Sequence, residues 1–183
     1  MKILNRFLLL SSIVILNSCG TKAIPNNAVY LEENQLNLIN GYYELISYES
    51  FYSQDYKDLS ETFHFPVPRL VTYIELEFIS KKELKISYEI DGISEQKIVK
   101  GKHKHGGFYL EKNWGALGIP PFIWLQWNRG KRIFMGNDDN LILDEFDDSS
   151  ALLFGFQSRT NKRQTYLYDR LYSQIYTGQT QQM

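Results

Sequence analysis

Tyr73-Ile74-Glu75-Leu76-Glu77-Phe78-Ile79 and, three residues later, Glu83-Leu84-Lys85-Ile86-Ser87-Tyr88-Glu89-Ile90 alternate apolar and polar residues at a period of two. Successive side chains of a strand point to opposite sides, so Ile74, Leu76 and Phe78 lie on one face of the first segment and the glutamates on the other. The second segment repeats the pattern, with Leu84, Ile86, Tyr88 and Ile90 inward and charged or small polar residues outward. Asp91-Gly92 then supplies a hairpin turn. Both central positions of a type I′ turn need positive φ, which glycine adopts freely and aspartate accepts better than most residues.

Outward from this hairpin, further strands are expected over 40–48, 96–100, 107–112, 123–127, 132–135, 141–146, 151–157 and 164–172. The breaks between them hold turn formers: Asn113, Asn128-Arg129-Gly130, Asn137-Asp138-Asp139-Asn140 and Asp147-Asp148-Ser149-Ser150. Two stretches are too long for hairpin turns. Residues 50–69, with Pro66 and Pro68, and 114–121, with Pro120 and Pro121, read as loops because proline cannot donate to a strand ladder; the first has room for a short helix around 55–61. Residues 165–176 also admit a helix with Leu167, Leu171 and Ile175 on one side, and their tyrosines favour a strand.

The 13 Tyr and 11 Phe, set against few alanines, suit pleated, half-buried surfaces. The expected fold class is all-β, an antiparallel meander of about eight to ten strands that closes into an up-and-down barrel and so removes its exposed edges. The stretch Leu38-Ile39-Asn40-Gly41-Tyr42-Tyr43-Glu44-Leu45 resembles the first strand of lipocalin-like domains, where a glycine and an aromatic lead into the strand that opens the barrel; Tyr42 or Tyr43 stands where that family commonly has tryptophan. The resemblance implies the fold and little else.

The N-terminus carries a separate signal. Lys2 and Arg6 precede an apolar run over 7–16, which is shorter than the about 20 residues a membrane-crossing helix needs and fits the apolar centre of an export signal. It ends in Leu16-Asn17-Ser18-Cys19, which resembles the lipobox of bacterial lipoproteins, with Asn17 in place of the usual small residue. The resemblance implies cleavage before Cys19 and lipid attachment to that residue. Cys19 is the only cysteine, so no internal disulfide competes for it. Each buried methylene contributes about 0.8 kcal/mol, so two or three acyl chains hold a protein durably. Gly20 follows where an aspartate would mark inner-membrane retention in some bacteria, and an outer-membrane destination is expected.

The domain plan is therefore a signal peptide over 1–18, lipidated Cys19 and a tether over 19–37, a lipocalin-like barrel over 38–176 and a tail over 177–183. Without residues 1–18 the chain keeps 165 of its 183 residues, enough for one domain, with 18 basic against 21 acidic side chains. No basic stripe marks a nucleic-acid partner.

Candidate chemistry is sparse. His103 and His105 alternate on an extended segment and could offer two ligands to zinc or copper, with His64 as the third histidine, but Lys100, Lys102 and Lys104 oppose a cation there. The pairs Asp138-Asp139 and Asp147-Asp148 lack the spacing of a calcium loop and read as turn caps. Glu75, Glu77 and Glu111 fall on outward strand faces, where solvated charge is the expected state. No nucleophile elbow or phosphate loop is present. No catalytic residue, metal ligand or cofactor is assigned.

The aromatics are the unusual feature, above all Phe122-Ile123-Trp124-Leu125-Gln126-Trp127. Tyr43, Phe122, Trp124 and Trp127 are expected either to fill a barrel interior or to line an apolar pocket within it. The expected function is non-covalent binding of an apolar or amphipathic small molecule by a membrane-anchored envelope protein. The alternative is an envelope module with a filled core that contacts another protein or the cell wall.

Overall fold

A computed structural model describes residues 24–50, 56–119 and 122–171 of the chain. The expected signal peptide over 1–18, Cys19, Pro120-Pro121 and the expected tail over 177–183 lie outside the described residues, as do 51–55 and 172–176. A 3₁₀ helix over Glu33–Ile39 precedes β1 (Gly41–Glu44), β2 (Glu49–Ser50), the short helix α1 (Leu59–Thr62), β3 (Tyr73–Ser80), β4 (Glu83–Ile90), β5 (Ile93–Lys100) and β6 (Lys102–Lys104). Four long strands follow, β7 (Gly107–Ile119), β8 (Ile123–Met135), β9 (Leu141–Leu153) and β10 (Phe156–Tyr168), and then β11 (Arg170–Leu171). The domain is all-β and antiparallel, as its alternation implies.

The opening hairpin forms as read. Its turn has φ 52° at Asp91 and 76° at Gly92, with Ile90 paired to Ile93 across it. Ile74, Leu76, Leu84 and Ile86 are fully buried. Residues 164–168 are strand rather than helix. The helix within 50–69 falls at 59–62, where the Asp58 carboxylate accepts a hydrogen bond from the Ser60 amide at 2.7 Å and caps its first turn.

The strands form two sheets, β11-β1-β3-β4-β5 and β2-β10-β9-β8-β7-β6, and neither closes into the single barrel that the meander leads one to expect. The ladder breaks where the chain passes from one sheet to the other, at Gly101 between β5 and β6 and at Asp169 between β10 and β11. A Cβ at Gly101 would lie 2.4 Å from the Tyr109 carbonyl oxygen and 2.5 Å from the Phe108 ring, so the backbone crosses there at a distance only glycine permits. The sheets share one core: Ile74, Leu76 and Leu84 of the first cluster with Phe108, Ile133, Leu143 and Tyr166 of the second. Phe78 and Phe108 meet edge to face across it at 4.8 Å.

Packing starts ahead of the boundary placed at Leu38. Leu31, Leu36 and Ile39 are buried, and the Glu32 amide donates to Gln35 Oε1 at 2.9 Å at the start of the 3₁₀ helix. These residues belong to the domain because they cover core that the four-residue β1 is too short to close.

The larger correction concerns the turns. Asn113, Asn128-Arg129-Gly130 and Asp147-Asp148-Ser149-Ser150 sit in mid-strand, and residues 114–119, expected as loop, continue β7. Turn-forming composition expresses a local preference, and here cross-strand pairing overrides it. Arg129 lies directly opposite Asp147 in the ladder, with its Nε 2.9 Å from the carboxylate. Gly101→Ala is expected to destabilise the domain by about 1–3 kcal/mol through overpacking at the crossing, read as a lower urea midpoint with unchanged slope.

Candidate functional site: a projecting β arm

Strands β7, β8, β9 and β10 of the second sheet are each 13 residues long, whereas β1 has four and β3, β4 and β5 have eight. Only the part of β7–β10 near Phe108, Ile133, Leu143 and Tyr166 packs against the first sheet. The rest projects as a four-stranded arm held in register by continuous pairing of β8 with both neighbours, from Ile119 opposite Ile123 and Ile123 opposite Leu153 inward. At its end a two-residue turn joins β9 to β10 through Phe154 (φ 46°) and Gly155 (φ 89°). The Phe154 amide donates to the Phe122 carbonyl at 2.7 Å, which ties the two hairpin ends together.

Residues directly opposite one another share a face and alternate rows switch faces. On the face continuous with the core, the outer rows are Ile119, Ile123, Leu153 and Phe156, then Leu117, Leu125, Ala151 and Ser158. On the other face the outermost row holds Gly118, Trp124, Leu152 and Gln157. Leu117, Ile119, Phe122, Phe154 and Phe156 are each more than half exposed. No charged residue occurs over 113–128 or over 149–158, and all three tryptophans of the chain fall within the first of these spans. Trp127 covers Gly115, where a Cβ would lie 2.2 Å from the indole, and its Nε1 donates to Asn113 Oδ1 at 3.2 Å.

Charge collects at the root of the arm. A cleft of about 710 Å³ there is bordered by Trp114 and Phe146 together with Lys112, Arg129, Lys131 and Asp147. A second groove of about 330 Å³, further out, lies against Leu125, Trp127 and Ala151. Below them a buried ionic cluster fixes the root. The Asp144 carboxylate, fully buried, accepts from Arg132 Nε at 2.6 Å, from Arg163 Nε at 2.5 Å and from the Thr165 hydroxyl at 3.2 Å. The Arg132 guanidinium also donates to the Tyr109 hydroxyl at 2.9 Å and stacks over the rings of Tyr109, Phe134 and Phe146 at 5.6, 5.0 and 5.5 Å.

Of the aromatics singled out in the sequence, Phe122, Trp124 and Trp127 come together on the arm, outside the core. Tyr43 stands apart in the core, where its hydroxyl donates to the Ile39 carbonyl at 2.6 Å and the Arg170 guanidinium lies 6.0 Å from its ring. Sequence reading missed Leu117, Leu153, Phe154 and Phe156. Their signal was the pair of charge-free spans, visible without a structure.

The other candidates disperse. His103 Nε2 lies 2.9 Å from the Leu31 carbonyl oxygen, and His105 occupies a left-handed turn position (φ 51°), so the two imidazoles do not share a strand face. Among the described residues no group of three His, Cys, Asp or Glu side chains is placed to hold a metal ion. Glu75 accepts from the Ser87 hydroxyl at 2.9 Å and Glu77 pairs with Lys85, both on the outward face of β3. The side chain of Glu111 lies outside the described set. Asp147 pairs with Arg129 within the ladder rather than in a loop.

No protein-family model matches the chain, and searches of the curated proteins and of the solved structures found no match to it.

Removing one partner of a buried pair leaves an uncompensated charge, so Asp144→Ala is expected to cost about 3–5 kcal/mol in denaturant unfolding. Asp147→Ala, which breaks a partly exposed pair, is expected to change stability by less than about 1 kcal/mol in the same measurement.

Proposed function

We propose that this chain is a bacterial envelope lipoprotein, held on a membrane by lipid on Cys19, whose β domain acts by non-covalent binding of apolar or amphipathic molecules. Binding takes place on the projecting arm and not inside the domain. The observation that carries this reading is the arm itself: two charge-free hairpin ends, apolar on both faces and exposed, beside a cleft that joins Trp114 and Phe146 to several cations. A contiguous apolar surface of this kind marks a binding site more often than a fold requirement. The core is filled by Tyr43, Phe108, Tyr166 and Tyr168, which favours the outer surface over an interior pocket.

The finer reading of the fold, a lipocalin-like barrel, draws support from the pairing order. Followed across Gly101 and Asp169, neighbours run β1, β3, β4, β5 with β6, β7, β8, β9, β10 with β11, and return to β1. That circuit is an up-and-down order interrupted at two seams. The lipobox at 16–19 supports the anchor, and Gly20 supports an outer-membrane address.

Two measurements test the proposal. Cells expressing the full chain in the presence of labelled palmitate are expected to yield labelled protein in the membrane fraction, with the label lost in Cys19→Ser. Unlabelled wild-type protein would remove the anchor. Native mass spectrometry after exposure to an envelope lipid extract is expected to show discrete adducts on the wild type that are lost in the double variant Leu117→Ser, Leu125→Ser. Adducts that survive this change would place the ligand away from the arm.

A further inference from the structure

We infer that the outer end of the arm inserts into the headgroup region of a lipid bilayer. This deepens the binding reading above and uses the same surface. Four observations select a bilayer over a protein partner. A protein covers one face of a sheet, whereas the arm presents apolar side chains on both faces, Ile123 and Leu153 on one and Trp124 and Leu152 on the other, and again at both ends in Phe122 and Phe154. The medium that suits such a surface is apolar from every direction.

The second observation is depth. From the turns to the row of Leu117, Leu125 and Ala151 the arm is free of charge over roughly 10 Å at ~3.3 Å per residue, the depth to which interfacial segments enter a membrane. Third, the collar above that depth carries Lys112, Arg129, Arg159 and Lys162 against Asp147 and Asp148, an excess of cations that complements anionic headgroups. Trp127 and Trp114 lie within the collar, between the row of Arg159 and the row of Arg129 and Asp147, where their part-polar rings suit an interface.

Fourth, the turn at the tip breaks a local rule. Among the described residues three two-residue turns have positive φ at both positions: Asp91-Gly92, His105-Gly106 and Phe154-Gly155. Aspartate and histidine tolerate the left-handed region; a phenylalanine there is strained. Asparagine would fit this position better, so nothing in folding selects an aromatic that is 69% exposed. An apolar group at the leading point of an inserting hairpin accounts for it.

The free edges set the limit of insertion. Among the described residues β10 has a partner on its outer side only at Tyr166 and Leu167, and β7 only at 107–109. Unpaired backbone groups are excluded from hydrocarbon but tolerated among headgroups and water, so the arm dips in and does not cross.

Because every tryptophan is on the arm, fluorescence excited selectively at tryptophan reports the arm alone, whatever the N-terminus does. The full chain is mixed with phosphatidylcholine vesicles containing a minor fraction of phosphatidylglycerol, with and without bromine on the acyl chains near the carbonyls. The expected result is a blue shift of the tryptophan emission and quenching by the brominated lipid. Phe154→Asn is expected to weaken this response by at least about tenfold in lipid concentration while leaving the melting temperature unchanged or higher, an opposition that a purely structural role would not produce. Vesicles that float the protein without changing its tryptophan spectrum would overturn the inference and leave the Cys19 anchor standing. A blue shift that appears without vesicles as protein concentration rises would overturn it in favour of a second copy of the chain.

Discussion

The pairing of β8 with β9 is the constraint on which the rest of the structure depends. It runs without a bulge from Ile123 opposite Leu153 to Met135 opposite Leu141. Because the side-chain period is two, one unbroken register decides every row at once. It sends Ile133 and Leu143 into the core, sets Arg132 against Asp144 on the other face, and places Arg129 against Asp147 further out. The first sheet is too short to cover these strands. What remains uncovered is the arm.

How much of this could be read beforehand depended on whether local or distant residues decided it. The β3 and β4 strands and the turn that leads from β4 into β5 were legible because alternation, charge and Asp91-Gly92 agree. The run 128–130 and the run 147–150 were illegible for the opposite reason: each has the composition of a turn, and what makes them strands is the presence of the other across the ladder. Residues 114–119 misled through the Pro120-Pro121 pair that follows them, since proline cannot donate to a ladder. Within them Gly115 is the floor on which Trp127 lies, and Gly118 adopts φ 131° beside the Ile123 carbonyl, so both glycines serve the strand. The site was legible in part. Phe122, Trp124 and Trp127 were recognised as unusual but assigned to an interior, since apolar residues are ordinarily spent on a core; that core is filled from elsewhere, by Tyr43, Tyr166 and Tyr168 among others.

The two ends of the molecule then differ in kind. The described chain enters beside the inner end of β8, where Ala28 bridges Gly136 and the Val29 amide donates to the Met135 carbonyl at 2.9 Å. The apolar tip lies at the other end of the same strand, ~40 Å away at ~3.3 Å per residue. A lipid on Cys19 and an inserting arm would be two separate attachments joined by a rigid sheet. The buried Asp144 cluster stands near the inner ends of β8 and β9, where load on the arm passes into the domain, and its charge-assisted hydrogen bonds suit it to hold that joint.

Hydrogen exchange along the arm tests the central claim most directly, because everything above requires residues 124–130 and 146–152 to be paired strand before any partner arrives. In the free protein, peptides covering these residues are expected to exchange far more slowly than open chain, with the outer strands β7 and β10 exchanging faster than the inner β8 and β9. Exchange over 128–130 and 147–150 at the rate of exposed loops would contradict this, and would mean that the turn-forming residues do make turns and that no arm projects.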